Sequence, residues 1–443
     1  MPKGFVVTAA YVGRSARNLL ATRDVMALND LVDPATGLDW YRAAGSLEQF
    51  RAAGTPVGSV AAIPYFENVF PGLLAQYKAY YTGIFGATTA NSVFAGATNS
   101  TQAIYASALN FNSNDWTTIQ DDLEFATNRS LFYQEQYGAL SAWGSIAKSN
   151  YNAAILQIRQ RLGSSLIWDL NYTMSHSLDD ASGLQTSGTF GGAFVLNPIL
   201  QRQSYANSDF DFRHIVNANA VWEMPFGRGR HFGGSVSRLG DMAIGGWQMS
   251  GIVRWNSGAP AANPFDDARW ATNWNVQSNG VRTRPIETSP CRGNATVSAK
   301  LFCDTKTAYQ SWRNARPGEA GDRNVLRNVG YFSLDMGLSK SFKFSENIAL
   351  QLRFEAFNVT NTQRMGAFDT SRTGLGLTVN PSSANPPANW TNYTAIQGAP
   401  RQMQFGARLT FSSFVCCGLF RGLENFGPAR DSFSTSAILP DPF

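Results

Sequence analysis

Arg401 to Phe411 reads RQMQFGARLTF and alternates without a break. Met403, Phe405, Ala407, Leu409 and Phe411 share one parity, and Gln402, Gln404, Gly406, Arg408 and Thr410 share the other. A period of two belongs to a strand with one apolar and one polar face. The same pattern recurs at 4–12, 151–162, 165–177, 212–224, 246–257, 330–343 and 347–359, which with 401–411 predicts eight antiparallel strands. Each has about nine to thirteen residues, longer than the usual five or six and close to the ~9–11 that cross a tilted bilayer.

The two parities ask for different solvents. One carries Leu166, Trp168, Leu170, Tyr172, Trp222, Trp247, Trp255, Leu352 and Phe354, with aromatic residues near the strand ends, as in the girdles of outer-membrane barrels. The other carries Arg159, Asp169, Glu223, Arg254, Arg353, Glu355 and Arg408 at mid-strand depth. These groups need water, so they are the candidates for lining a wet lumen. Only 15% of residues are charged and there are 40 glycines, which suits a β-rich chain better than a helical enzyme. The net charge of +5 comes without any run of lysines or arginines, so a nucleic-acid partner is not indicated.

Connections alternate between tight turns, such as LGSS after Arg161 and SEN after Phe344, and long excursions. Short turns on one side and long loops on the other are the pattern of an outer-membrane barrel, with the long loops outside. The first excursion, 13–150, contains WYRAAGSLEQFRAAG, GLLAQYKAYYTGIFG and DWTTIQDDLEFAT, which predict short helices, with Asp115 a candidate cap. Another spans 259–328 and holds Cys291 and Cys303; export would pair them in a disulfide, the other reading being two free thiols. A soluble sandwich also alternates, but with shorter strands.

Several segments resemble the C-terminal barrel of TonB-dependent receptors, in the subgroup with a carboxypeptidase-regulatory-like domain before the plug. They are YVGRSARNLLATRD, YNAAILQIRQRLGSSLIWDLNYTMSHSLDD, SDFDFRHIVNANAVWEMPFGRGRHF, GGWQMSGIVRWNSGAP, GDRNVLRNVGYFSLDMGLSKSF and LRFEAFNVTNTQ. The resemblance implies an all-β fold: a partial antiparallel transmembrane β-barrel, about eight C-terminal strands of a large barrel, with long, partly helical extracellular loops. Such barrels have about 22 strands around a plug. On this reading residues 1–411 form the barrel segment, and Phe405, Leu409 and Phe411 form the terminal-strand signature read by the barrel-insertion machinery. Residues 412–443 are an atypical tail. The implied partners are outer-membrane lipid, the TonB energy-transducing complex through a plug, and a small-molecule or oligosaccharide cargo. The location is the outer membrane of a Gram-negative-type bacterium. Two alternatives stay open: a passive or structural eight-stranded barrel, and a soluble sugar-binding β-protein.

No enzyme motif stands out. HExxH, a P-loop and GxGxxG are absent, and the three histidines, His176, His214 and His231, fit no nucleophile elbow. No catalytic residue, cofactor or metal ligand is expected. Asp209, Asp211, Arg213 and His214 in DFDFRH fall where a strand leaves an outer loop, which makes them rim candidates for touching cargo or for a charge network. Trp270, Trp274 and Trp312 are loop aromatics that could stack on a sugar.

Overall fold

A computed structural model of the chain describes residues 4–25, 30–111, 116–132, 141–163, 165–184, 195–197, 199–261, 278–291, 293, 298–345, 347–369, 382–411 and 432–439. Nine long strands make one antiparallel sheet: β1 (Phe5–Asp24), β2 (Ser141–Leu162), β3 (Leu166–Asp179), β4 (His214–Glu223), β5 (Trp247–Asn256), β6 (Tyr331–Lys343), β7 (Ile348–Phe357), β8 (Gln402–Phe411) and β9 (Ser432–Leu439). They lie side by side in chain order, and a two-residue strand, Ala206–Asn207, adds to β3. Among the described residues β1 pairs only with β2 and β9 only with β8, so the sheet is not closed.

The registers carry the two faces through the whole sheet. Leu162, Leu166, Trp222, Met249, Leu338, Phe354 and Phe405 fall in one cross-strand line. Glu223, Gln248, Ser339, Arg353 and Gly406 form a line on the opposite face. The apolar line also shows the strands' tilt. Leu166 is the first residue of β3, whereas Phe405 is separated from the end of β8 by the whole stretch Gly406–Thr410. Such a stagger is how a barrel wall is built from inclined strands.

On the apolar face Tyr11, Met174, Leu352 and Phe405 remain well exposed. A soluble monomer seldom shows so broad an apolar surface; a bilayer covers it.

Six predicted strands are found within a few residues of their expected ends, and the first two are much longer. β1 continues to Asp24 and β2 begins at Ser141, so the first excursion covers 25–140 and not 13–150. Leu19–Asp24 and the partner stretch Ser141–Ala147 run on past the last β2–β3 pair, Ser149↔Asp179, as a two-stranded ribbon. The strict alternation of apolar and polar residues is lost there, and the register shifts around Ala16–Leu19, where Asn18 has φ 56°. The second correction concerns the tail: β9 pairs with β8 through Met403↔Leu439 and Thr410↔Ser432, so the strand ending at Phe411 has a neighbour on both sides. The cysteine pair 416–417 lies outside the described residues.

The first excursion folds into helices α1 (Trp40–Ala52), α2 (Pro64–Val69), α3 (Leu73–Phe85), α4 (Ala87–Val93), α5 (Ser100–Phe111) and α6 (Trp116–Thr127). Three of the six are the expected ones; the Asp115 cap lies outside the described residues. Asp39 caps α1 by accepting from the Arg42 N–H at 2.7 Å. Trp40, Ala44 and Leu47 of α1, and Trp116, Ile119 and Leu123 of α6, are buried at helical spacing around the largely buried α5. This is a separate core, standing on the sheet's outer end.

Candidate functional site: the polar face and the outer rim

All seven lumen candidates project from the polar face, because the registers leave no choice of side. Arg254 pairs with Asp335 at 3.7 Å. Asn171 donates to Asp169 at 2.8 Å, Arg353 donates to Gln351 at 2.9 Å, and Gln404 donates to Glu355. Glu223 meets Arg230 of the following turn at 3.4 Å. Arg159 lies opposite Asp169, and Arg408 opposite Gln351. Solvent-exposed pairs of this kind contribute little, about 0–1 kcal/mol. Their effect is to make one side of the wall wettable, with arginines and acids interspersed.

The rim candidates do not form one open site. Asp211 is buried and accepts from the Ser177 N–H at 2.7 Å and from Arg327, with Arg213 at 3.4 Å. Asp209 accepts from Asn324 at 2.6 Å and Arg323 at 3.2 Å. Arg323 reaches further, pairing with the buried Asp179 at 2.9 Å and donating to Ser182 at 2.6 Å. The acids of DFDFRH therefore clamp the third long loop onto the second.

Arg213 bonds His176 at 2.9 Å. His214 turns to the apolar face, stacked between Tyr172 and Trp255 with ring centroids 6.1 and 6.5 Å away. There it completes the outer aromatic girdle.

The other loop contacts fuse the cap. Asn197 and Gln203 donate to the Gly318 carbonyl at 3.1 and 2.9 Å, and Gly318 packs against Tyr41 of α1. A second core of Leu301, Phe302, Tyr309, Trp312, Leu326 and Trp390 joins the third loop to the fourth. Trp312 is fully buried there and is unavailable to a sugar; Trp270 and Trp274 lie outside the described residues. Cys291 and Cys303 are disulfide-bonded, as export predicts.

Burial pushes the Asp122 carboxyl above its ordinary range, against hydrogen bonds from Ser107 and Tyr81. Desolvation, with Asp39 nearby, raises Asp30 to about 6. Among the described residues no group of three His, Cys, Asp or Glu is placed to hold a metal.

Sequence reasoning passed over the clamp arginines Arg323 and Arg327. Their partners lie more than a hundred positions away, so no local period marks them. It also left Lys340 unassigned, although its parity sets it on the apolar face opposite Leu352 and Trp247.

A family model described as an outer membrane beta barrel domain matches residues 1–404. No curated protein matches the chain.

Proposed function

The chain belongs to the outer membrane beta barrel domain family and is located in the outer membrane, and from that premise we propose that it forms part of the wall of a wide, TonB-dependent nutrient receptor. The observation that carries the proposal is the open edge of β1. Inside lipid each unsatisfied backbone group costs several kcal/mol, so further strands must complete the wall. A nine-stranded closure would set Arg159, Arg254, Arg353 and Arg408 in a lumen barely wide enough for side chains. The fused cap of long loops also suits a broad mouth.

In this reading the polar face meets a plug or an anionic or hydroxyl-rich cargo, such as a siderophore or a carbohydrate. Energy arrives from the TonB complex through the plug. Reading the gene 5′ of Met1 tests it: the expected find is further alternating strands preceded by a plug, a TonB box and a signal peptide. Stop codons there in every frame, with a closed barrel formed by the purified chain, would defeat the receptor reading in favour of a small structural barrel.

A further inference from the structure

Lys340 lies on the apolar face of β6 level with the girdle residue Trp247, toward the short-turn end, and it is buried. Its ammonium donates to the carbonyls of Ala243 (3.1 Å) and Gly245, at the C-terminal end of a short helix, α7 (Arg238–Ile244). Cations fit helix C-termini, where carbonyls lack intrahelical partners. The ammonium also stands 5.1 Å from the Trp247 ring, and the Trp247 indole N–H donates to Ala243 at 3.1 Å. Arg238 donates to the Phe344 carbonyl at 3.3 Å. These contacts fix α7 against the lipid-facing side of the wall, at the short-turn end.

Held in that place, the β4–β5 connection, 224–246, presents a mixed surface. Leu239 is 80% exposed, and Phe226, Phe232, Met242 and Ile244 are exposed as well. Arg228 and Arg238 are exposed beside them; Arg228 is tied to α7 by its backbone N–H, which donates to Asp241. Exposed apolar groups flanked by arginines are the make-up of an element that lies in the headgroup layer. The surface is continuous with the lipid-facing band through Trp247.

We propose that the β4–β5 connection is a membrane-surface anchor whose apolar residues enter the phospholipid leaflet at the short-turn side and whose Arg228 and Arg238 meet phosphates of anionic phospholipid. Lys340 is its positioning residue. The proposal needs only the lipid-facing parity, so it stands or falls apart from the receptor reading.

The test uses the full chain in phosphatidylcholine bilayers with and without phosphatidylglycerol. An environment-sensitive fluorophore is placed by Leu239→Cys in a Cys416→Ser/Cys417→Ser background. Blue-shifted emission, quenched by chain-brominated lipid and protected from iodide, is expected. Free access of iodide would overturn the anchor. In parallel, mass spectrometry of retained lipid should show a phosphatidylglycerol preference that falls roughly fivefold for each arginine lost in Arg228→Gln/Arg238→Gln and weakens with salt. An unchanged preference would overturn the assignment of anionic headgroups. Lys340→Met, which keeps the side chain's bulk and removes the ammonium, should let iodide reach the label while leaving the barrel folded. Full protection in that variant would remove Lys340 from the role.

Discussion

Replacing Leu170 with arginine and replacing Asn171 with arginine differ by one position and by the medium each side chain enters. Leu170 lies mid-way along the apolar stretch of β3, between Ile158 of β2 and Ala218 of β4, with no acid on that face of the described neighbouring strands to receive a cation. An arginine at mid-membrane depth costs ~2–4 kcal/mol, which is roughly 30- to 1,000-fold in the folded-to-unfolded ratio. Asn171 lies opposite Gln157 and Asn217 on the polar face, and its amide already donates to Asp169 at 2.8 Å. An arginine there gains a carboxylate and stays in water, so its effect should remain within about 1 kcal/mol. Urea unfolding of the bilayer-reconstituted chain, followed by tryptophan fluorescence, gives both values from midpoints at constant slope. Leu170→Ala serves as the control for lost side-chain volume. Equal costs at the two sites would refute the membrane-facing assignment. The reverse order would invert every strand at once, because the registers leave each strand's parity tied to its neighbour's.

Arg323→Ala should destabilise the fused cap by about 3–5 kcal/mol, since it strands the buried Asp179 without its cation. Adding Asp179→Asn should recover much of that loss, and limited proteolysis of the loops reads both variants. Without reductant Cys291 and Cys303 should resist alkylation; reduction should lower cap stability by roughly 3 kcal/mol in the chain-entropy model for a bridge spanning 12 positions. Labelling of both cysteines in the unreduced protein would contradict the bridge. The cap should also respond to pH through Asp30. Its folded pKa of about 6 exceeds the ordinary 3.8, so the fold favours the protonated form, and stability falls as pH rises between those values. After allowance for solvent screening, Asp30→Asn should gain about 1 kcal/mol above pH 6 and nothing at pH 3, as read by cap unfolding. A gain independent of pH would assign the effect to something other than the charge.

The alternating residues determined the parity of eight strands, the lipid-facing and water-facing sides, and hence the wall on which Arg159, Asp169, Glu223, Arg254, Arg353, Glu355 and Arg408 sit. That much is local, because a strand's two faces repeat every second residue and each face meets a different solvent. Phe405, Leu409 and Phe411 were assigned to the lipid side on the same ground, and the register agrees. Whatever depended on distant partners was decided only by the tertiary structure. Beyond Val12 the residues of β1 no longer alternate strictly and the register to β2 shifts at Ala16–Leu19, so the continuation to Asp24 left no period to read. The tail strand β9 earned no expectation because its place rests on pairing with β8. Asp209 and Asp211 could be cargo contacts or a charge network until Arg323 and Arg327 closed on them from another loop, and Lys340 had no assignment until α7 supplied its carbonyls. Charges far apart in sequence find one another only after the chain has folded, and their spacing along the chain records nothing of that meeting.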